Sequence, residues 1–337
     1  MNTNPLHKKT MLLMSAEECE KDRAHWLEMK KSHISGTDAG AIMGVNPWKT
    51  PLKLYYEKRG EAPTDDISGE DAVHFGTIFE DVVAREFMDR TEIKVVRRGT
   101  LLDLYDERRI ANVDRVCVGI HSGLECKTTN AFNAAEWADE GIPRHYFYQC
   151  LHYLIVMYGD AKGRPLVDDA SWFIACLIGG QKFVIREIKY ADHVDEAVEL
   201  VKKETEFYRR VRNGNPPPVS DSPIDGDILA SMNNGSGGVK SLGMQSETFL
   251  QNMQEIKAEM DTLKKRYQYE KNSFLEMLGN SEMAVGTHFK VSFKMRKGRE
   301  TVTMTDIKKH PDIYQALKDK GLVKQLPGSR ALIIKEV

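Results

Sequence analysis

The sequence predicts an α/β protein of the α+β kind: a β-sheet core flanked by helices, followed by a C-terminal helical and small α/β extension. Three observations lead there. Apolar residues recur at helical spacing over 71–91, 143–159 and 192–214. Short strand-like runs, broken by Gly-containing turns, occupy 93–130 and 171–190. Composition then shifts: residues 215–238 are rich in Pro, Gly, Ser and Asn, as a linker or long loop would be. The expected organisation is a core over 1–214, a linker or long loop over 215–245, and an extension over 246–337. With 337 residues, 41% hydrophobic and 29% charged, the chain can bury a sizeable core.

Taken in order, residues 16–31 read as a charged surface helix. In ISGTDAGAIMGVNPW, which starts at Ile34, Ser35 and Thr37 are candidate N-caps, and Gly44 with Asn46-Pro47 ends a short helix. Residues 50–60 read as a second helix with Leu52, Tyr55 and Tyr56 inward. The best amphipathic helix of the first half is 71–91; Phe75, Ile78, Phe79, Val82, Val83 and Phe87 form its apolar stripe, and Glu80 lies close to it. Strands follow at 93–104, 109–119 and 123–130. Residues 143–159 form a helix apolar on most sides, hence buried. A β-hairpin turns at Gly179-Gly180, and the helix over 192–214 stops at Gly214. Over 246–279, Leu250, Met253, Ile256, Met260, Leu263, Tyr267, Phe274 and Leu278 recur at spacings of three, four or seven. That is a long helix laid on the core or, alternatively, a coiled-coil or oligomer contact. In the tail, THFKVSFKMRKG and RALIIKEV read as strands around a helix at DIYQALKDKG. The basic residues Lys294, Arg296, Lys297 and Arg299 read equally as a DNA-backbone contact or a solvated edge strand.

Several classes are excluded. Lys and Arg number 48 against 50 Asp and Glu, so no global positive field marks a polyanion partner and any such site is local. The five cysteines, Cys19, Cys117, Cys126, Cys150 and Cys176, are odd in number and form no CxxC pair. They read as free thiols of a reducing cytoplasm, not as a disulfide framework, a zinc site or an iron–sulfur cluster. The N-terminal MNTNPLHKKTMLLMS lacks the apolar segment of a secretory signal, and no apolar run is long enough to span a bilayer. A cytoplasmic location without membrane association is expected.

The chemistry concentrates in ANVDRVCVGIHSGLECKTTN, residues 111–130. Strand side chains alternate, so Glu125 and Lys127 share a face, and the GIHSG turn brings Asp114 of the preceding strand alongside. Buried carboxylates on neighbouring strands cost several kcal/mol unless compensated. A divalent cation with oxygen ligands, magnesium or manganese, is the natural compensation. Lys127 then orients or deprotonates a water, or stabilises a developing phosphate charge. These are the parts of metal-assisted phosphodiester hydrolysis.

Asp114, ten intervening residues, then Glu125-Cys126-Lys127 resembles the PD-(D/E)XK nuclease signature. HFGTIFEDVVAREF resembles the helix that supplies a further glutamate, here Glu80, in the lambda-exonuclease branch. ISGTDAGAIMGVNPWKTP resembles the N-terminal motif of YqaJ-type phage recombination exonucleases, and YFYQCLHYLIVMYG their Gln-x-x-x-Tyr helix, with Gln149 and Tyr153 in register. The pieces run in family order over roughly residues 30–210. The chain departs at Val113, where the signature has Pro, and at Arg115, where Gly is common.

The resemblance implies a restriction-endonuclease-like core with a mixed sheet. It implies a Mg2+-dependent 5′→3′ exonuclease on linear duplex DNA ends, with Mn2+ substituting, that leaves 3′ single-stranded tails for recombination by annealing. Asp114, Glu125, the Cys126 carbonyl and Glu80 are then the expected metal ligands. Lys127, Gln149 and Tyr153 complete the catalytic set, and Ser35, Gly36, Thr37 and Arg115 are expected at the DNA or its 5′-phosphate. The expected partners are double-stranded DNA ends and a phage single-strand annealing protein of the RecT or Redβ kind. Self-association, a ring of three by family analogy, also follows. The alternatives are an endonuclease of the same fold and a non-catalytic end-binding recombination scaffold.

Overall fold

The computed structural model describes residues 9–63, 69–232, 238–295, 297–298 and 301–323. The chain divides into two compact units, Met1–Asn233 and Asn234–Val337.

One seven-stranded sheet organises the first unit. Its order is β1 (Thr10–Met14), β3 (Val95–Asp103), β4 (Arg109–Cys117), β5 (Ser122–Thr129), β6 (Ser171–Ile178) and β7 (Lys182–Lys189). The two-residue β2 (Ile34–Ser35) adds parallel to β4. β5 and β6 are parallel and the other neighbours along that order antiparallel, so the sheet is mixed as expected. A parallel pair needs a crossover. Here it is a 3-10 turn at Ala131–Trp137 followed by helix α6 (Arg144–Tyr158).

The alternation along β6 fixes the layers. Trp172, Ile174, Cys176 and Ile178 pack with Leu151, Leu154 and Ile155 of α6 in the main core. Phe173, Ala175 and Leu177 pack instead with Val83, Ala84 and Phe87 of α5 (Asp71–Thr91). The sheet therefore carries α6 on one face and α5 on the other, and α6 is buried along most of its length, as its all-round apolarity requires. Further helices of this unit are α1 (Ala16–Lys21), α2 (Arg23–Ser32), α3 (Gly36–Ile42), α4 (Pro51–Arg59) and α7 (Val194–Asn213), the last ended by Gly214 in the left-handed conformation.

The structure corrects several expectations. The helix over 16–31 is two, broken at Asp22, whose side chain accepts from His25 N–H and caps α2. Thr37 lies inside α3 and Ser35 precedes it as the N-cap. Only Val83 and Phe87 of the α5 stripe are buried; Phe75, Ile78, Phe79 and Val82 are 37–50% exposed. The apolar run TMLLM forms the edge strand β1, which the sequence reading left without an element. Within the expected linker lies α8 (Pro223–Met232), docked on this unit by Ile228 beside Leu52 and by a buried hydrogen bond from Thr50 Oγ1 to Asp225. Asp225 also accepts from Ser220 N–H and Oγ–H, so this part of the Pro-rich segment is anchored rather than loose.

The second unit holds the long helix α9 (Met244–Leu278), a hairpin of β8 (Met283–Val285) and β9 (Lys290–Ser292), and helices α10 (Met304–Lys308) and α11 (Pro311–Asp319). Of the α9 residues, only Leu278 is buried. RALIIKEV, Arg296 and Arg299 lie outside the described residues.

Candidate active site

β5 carries the charged pair. Leu124 and Cys126 pack toward α5, which turns Glu125 and Lys127 to the opposite face, beneath α6. The β4–β5 ladder pairs Val116 with Gly123 and Arg115 with Leu124 and stops there. At that point the Asp114 carboxylate reaches across, and its Oδ2 accepts from the Cys126 N–H at 2.8 Å. In an extended strand a residue's N–H and C=O point to the same side, so the Cys126 carbonyl also faces Asp114.

Glu125 is 2% exposed. Its Oε1 accepts from Lys127 Nζ and from Gln149 Nε2, each at 2.6 Å. Gln149 Nε2 also donates to the Tyr153 hydroxyl at 2.8 Å. The two residues meet because they lie one turn apart on α6. Lys127 Nζ lies 4.5 Å from the centroid of the Tyr146 ring, a cation–π contact that sequence reading missed, although it too is one turn before Gln149. The Tyr153 ring packs on Gly36, where an added Cβ would overlap it. The start of α3 thus approaches the carboxylates through a glycine.

Burial, joined by the charges of Glu125 and Glu80, pushes the Asp114 pKa well above the usual carboxylate range, against the pull of Lys127 and the Cys126 N–H. Burial and Glu80 raise Glu125 likewise, with Lys127 and Gln149 opposing. Burial disfavours the Lys127 ammonium, but Glu125, Tyr146 and Asp114 outweigh it and raise its pKa. Lys127 is therefore held as a cation in this arrangement, suited to orienting and neutralising rather than to taking a proton.

The residues fit a divalent cation. Two crowded, desolvated carboxylates are relieved by one. Glu125 Oε2 is buried with no hydrogen-bond partner. Asp114, Glu125 and the Cys126 carbonyl offer the few oxygen donors that magnesium takes alongside water. Among the described residues, however, no three His, Cys, Asp or Glu side chains converge as a ready-made cage. Glu80 accepts instead from Arg115, which also pairs with Asp81 and donates to the Asp114 main-chain oxygen at 2.7 Å.

In this arrangement Arg115, expected at the DNA, is engaged internally. It is 3% exposed and serves as the internal counter-ion of Glu80. Ser35 is also committed internally: Asp38 Oδ2 accepts from its N–H and Oγ–H, both at 2.9 Å, and from Lys58 at 2.7 Å. Thr37 is exposed and accepts from Lys30 Nζ at 3.2 Å. Sequence reading did not single out Lys30, because its helix and Thr37 are joined only by the fold. Burial lowers its pKa to about 8, with Asp38 opposing and Lys58, Lys49 and Arg23 adding. A cleft of about 320 Å3 runs from Arg23 and Trp26 past Arg97 to Glu80 and Asp114.

Two histidines lie near the carboxylates. His152 is bonded to Glu204 Oε1 at 2.6 Å and the Ile110 carbonyl at 3.0 Å, deep in the core. His145 packs edge-on to Trp48, and burial and Lys127 lower its pKa to about 4.

Comparison with known proteins places these elements in a family. The profile of the YqaJ-like viral recombinase domain matches residues 25–160, the stretch that contributes Glu80, Asp114, Glu125, Lys127, Gln149 and Tyr153. The protein YqaJ of Bacillus subtilis (strain 168) is 32% identical over 308 residues, 90% of this chain and 93% of the relative. The chain belongs to the YqaJ-like viral recombinase domain family. Among solved structures, an alkaline exonuclease from Laribacter hongkongensis aligns over 57% of this chain and 94% of its own, at 13% identity and a TM-score of 0.45. A phage-related exonuclease from Haemophilus somnus aligns over 54% and 96%, at 10% identity and a TM-score of 0.37. No helix among the described residues is long and apolar enough to cross a membrane.

Proposed function

We propose that this chain is a metal-dependent deoxyribonuclease that resects linear duplex DNA from its 5′ ends, leaving 3′ tails for recombination by strand annealing. The observation that carries the reading is the Asp114–Glu125 pair: a half-buried and a buried carboxylate, both with raised pKa values, the latter with a bare buried oxygen, and Lys127 on the same face as Glu125. Family membership supports a role in recombination, and the exonuclease relatives in fold space are in keeping with it.

Asp114, Glu125 and the Cys126 carbonyl would hold the ion, magnesium by their chemistry and manganese as a substitute. When bound, such an ion activates water and neutralises charge on the phosphate. Glu80 joins that set once Arg115 releases it, and a phosphate is the group for which Arg115 would exchange a carboxylate. Gln149 holds Glu125 in place and Tyr153 holds Gln149. Lys127, kept protonated, stabilises charge that builds on the scissile phosphate. The 5′-phosphate is read at Gly36 and Thr37, close to Tyr153, with Lys30 supplying the charge beside Thr37. Ser35 supports that turn through Asp38.

The test is digestion of linear duplex DNA with Mg2+, labelled at either the 5′ or the 3′ terminus, beside a closed circle. Early release of 5′ label as mononucleotide, with the circle intact, is expected. Early loss of the 3′ label reverses the polarity, and cutting of the circle makes the protein an endonuclease. End binding without any cutting makes it a scaffold.

A further inference from the structure

We propose that α9 is a self-association helix that zips in parallel and in register with α9 of a second copy of this chain. Over 249–277 a line of α9 positions spaced alternately by four and three is apolar but for Glu270, with Leu250, Tyr269 and Leu275 lying off it. Met253, Met260, Tyr267 and Phe274 occupy the first core position of four successive heptads. Phe249, Ile256, Leu263 and Met277 occupy the second, and Glu270 is its single polar member. A helix lying on a globular core shows a broader stripe, whereas a strict two-in-seven seam repeated over four heptads is the pattern of a coiled coil. At 1.5 Å per residue the seam runs about 43 Å. All eight apolar side chains are 40–84% exposed in the single chain, far more apolar surface along one line than an isolated helix keeps in water.

Charge selects the direction. The positions flanking the seam are Lys257, Lys264 and Lys271 on one side and Glu259 and Arg266 on the other. In a parallel pair each flank meets the opposite flank of the other copy, so in both directions Glu259 faces Lys264, which is favourable, and Arg266 faces Lys271 across the layer that holds Glu270. An antiparallel pair sets Lys against Lys on one flank and Arg266 against Arg266 on the other, each unfavourable. Glu270 argues the same way. In parallel register the two Glu270 side chains share one layer, bracketed by Arg266 and Lys271 of both copies. Antiparallel, each falls opposite Met260 and keeps only the Arg266 and Lys271 of its own copy. A single polar layer of this kind fixes register at some cost in stability.

The test is cysteine cross-linking in the full chain. Leu263→Cys places a thiol in the seam, where parallel register sets it against its own copy, and Lys265→Cys places one on the outer surface of the same turn. Leu263 is 63% exposed in the single chain, so the substitution leaves each copy folded, and circular dichroism verifies it. Mild oxidation of Leu263→Cys is expected to give a disulfide dimer in most of the protein, with several-fold less from Lys265→Cys and from the unsubstituted chain. Absence of the Leu263→Cys dimer in folded protein overturns the proposal. Equal cross-linking of Lys265→Cys does too, because it reports random collision rather than a seam.

Discussion

Replacing Asp114 by Asn should make the protein more stable and destroy its activity at once. The Asp114 pKa in the folded chain lies above its ordinary value of 3.8. Its contribution to stability is therefore complete below that value and is lost as pH rises through the raised folded value, so at neutral pH the ionised carboxylate works against the fold. The upward shift is what remains after Lys127 and the Cys126 N–H have exerted their favourable pull, so removing the charge is a net gain. Asn keeps an oxygen to accept from Cys126 N–H, so the hydrogen bond survives. Relief of this size belongs with other stabilising substitutions, about 1–2 kcal/mol. At about 2–4 °C per kcal/mol for a unit of this size, the melting temperature in EDTA should rise by about 2–8 °C. Hydrolysis should fall at least about a hundredfold, and the rise in melting temperature expected of the unsubstituted protein on adding Mg2+ should be absent. Thermal unfolding at pH 7.5 with and without Mg2+, beside a nuclease assay, reads all three. A melting temperature several degrees lower in EDTA would refute the reasoning, because Asp114 would then be a structural carboxylate.

Other substitutions probe the supporting parts. Gln149→Leu removes the bridge between Glu125 and Tyr153, and Mg2+-dependent digestion should slow by about 10–100-fold while the protein stays folded, read by initial rates and circular dichroism. Gly36→Ala drives a methyl into the Tyr153 ring and should destabilise by about 1–3 kcal/mol in urea unfolding, with Gly36→Ala/Tyr153→Leu recovering most of it. His145 stays neutral down to about 4 in the folded chain against an ordinary value of 6.5. Between these values the unfolded chain binds the extra proton, so stability falls on acidification, by about 1 kcal/mol once solvent screening of this half-buried ring is allowed for. Urea titrations from pH 7 to pH 4 should show that loss reduced in His145→Phe.

The alternation of β5 was legible because its two faces differ in chemistry: Leu124 and Cys126 against Glu125 and Lys127. Helix α6 was legible because a crossover helix over a sheet has little solvent-facing side to mark with charge. Periodicity states which residues of a helix share a face, not whether anything covers it, which is why Phe75, Ile78, Phe79 and Val82 were read as core and stand exposed. The docking of α8 was hidden because Thr50 and Asp225 are 175 residues apart, and the Pro- and Ser-rich segment between α7 and α8 dominates the local composition. The engagement of Arg115 with α5 was hidden for a related reason. Its neighbour in sequence is Asp114, but its side chain crosses to the other face, where α5 presents Glu80 and Asp81. Lys30 and Tyr146 needed the fold to bring them beside Thr37 and Lys127.

On the reading proposed above, Asp114 and Glu125 hold a divalent cation that supports DNA hydrolysis. The most direct measurement is the rate at which linear duplex DNA disappears with Mg2+ or with EDTA, for the unsubstituted protein and for Glu125→Ala verified as folded by circular dichroism. The account predicts Mg2+-dependent digestion by the former and none by the latter at any Mg2+ concentration. Digestion by folded Glu125→Ala at an undiminished rate, or by the unsubstituted protein in EDTA, would contradict it.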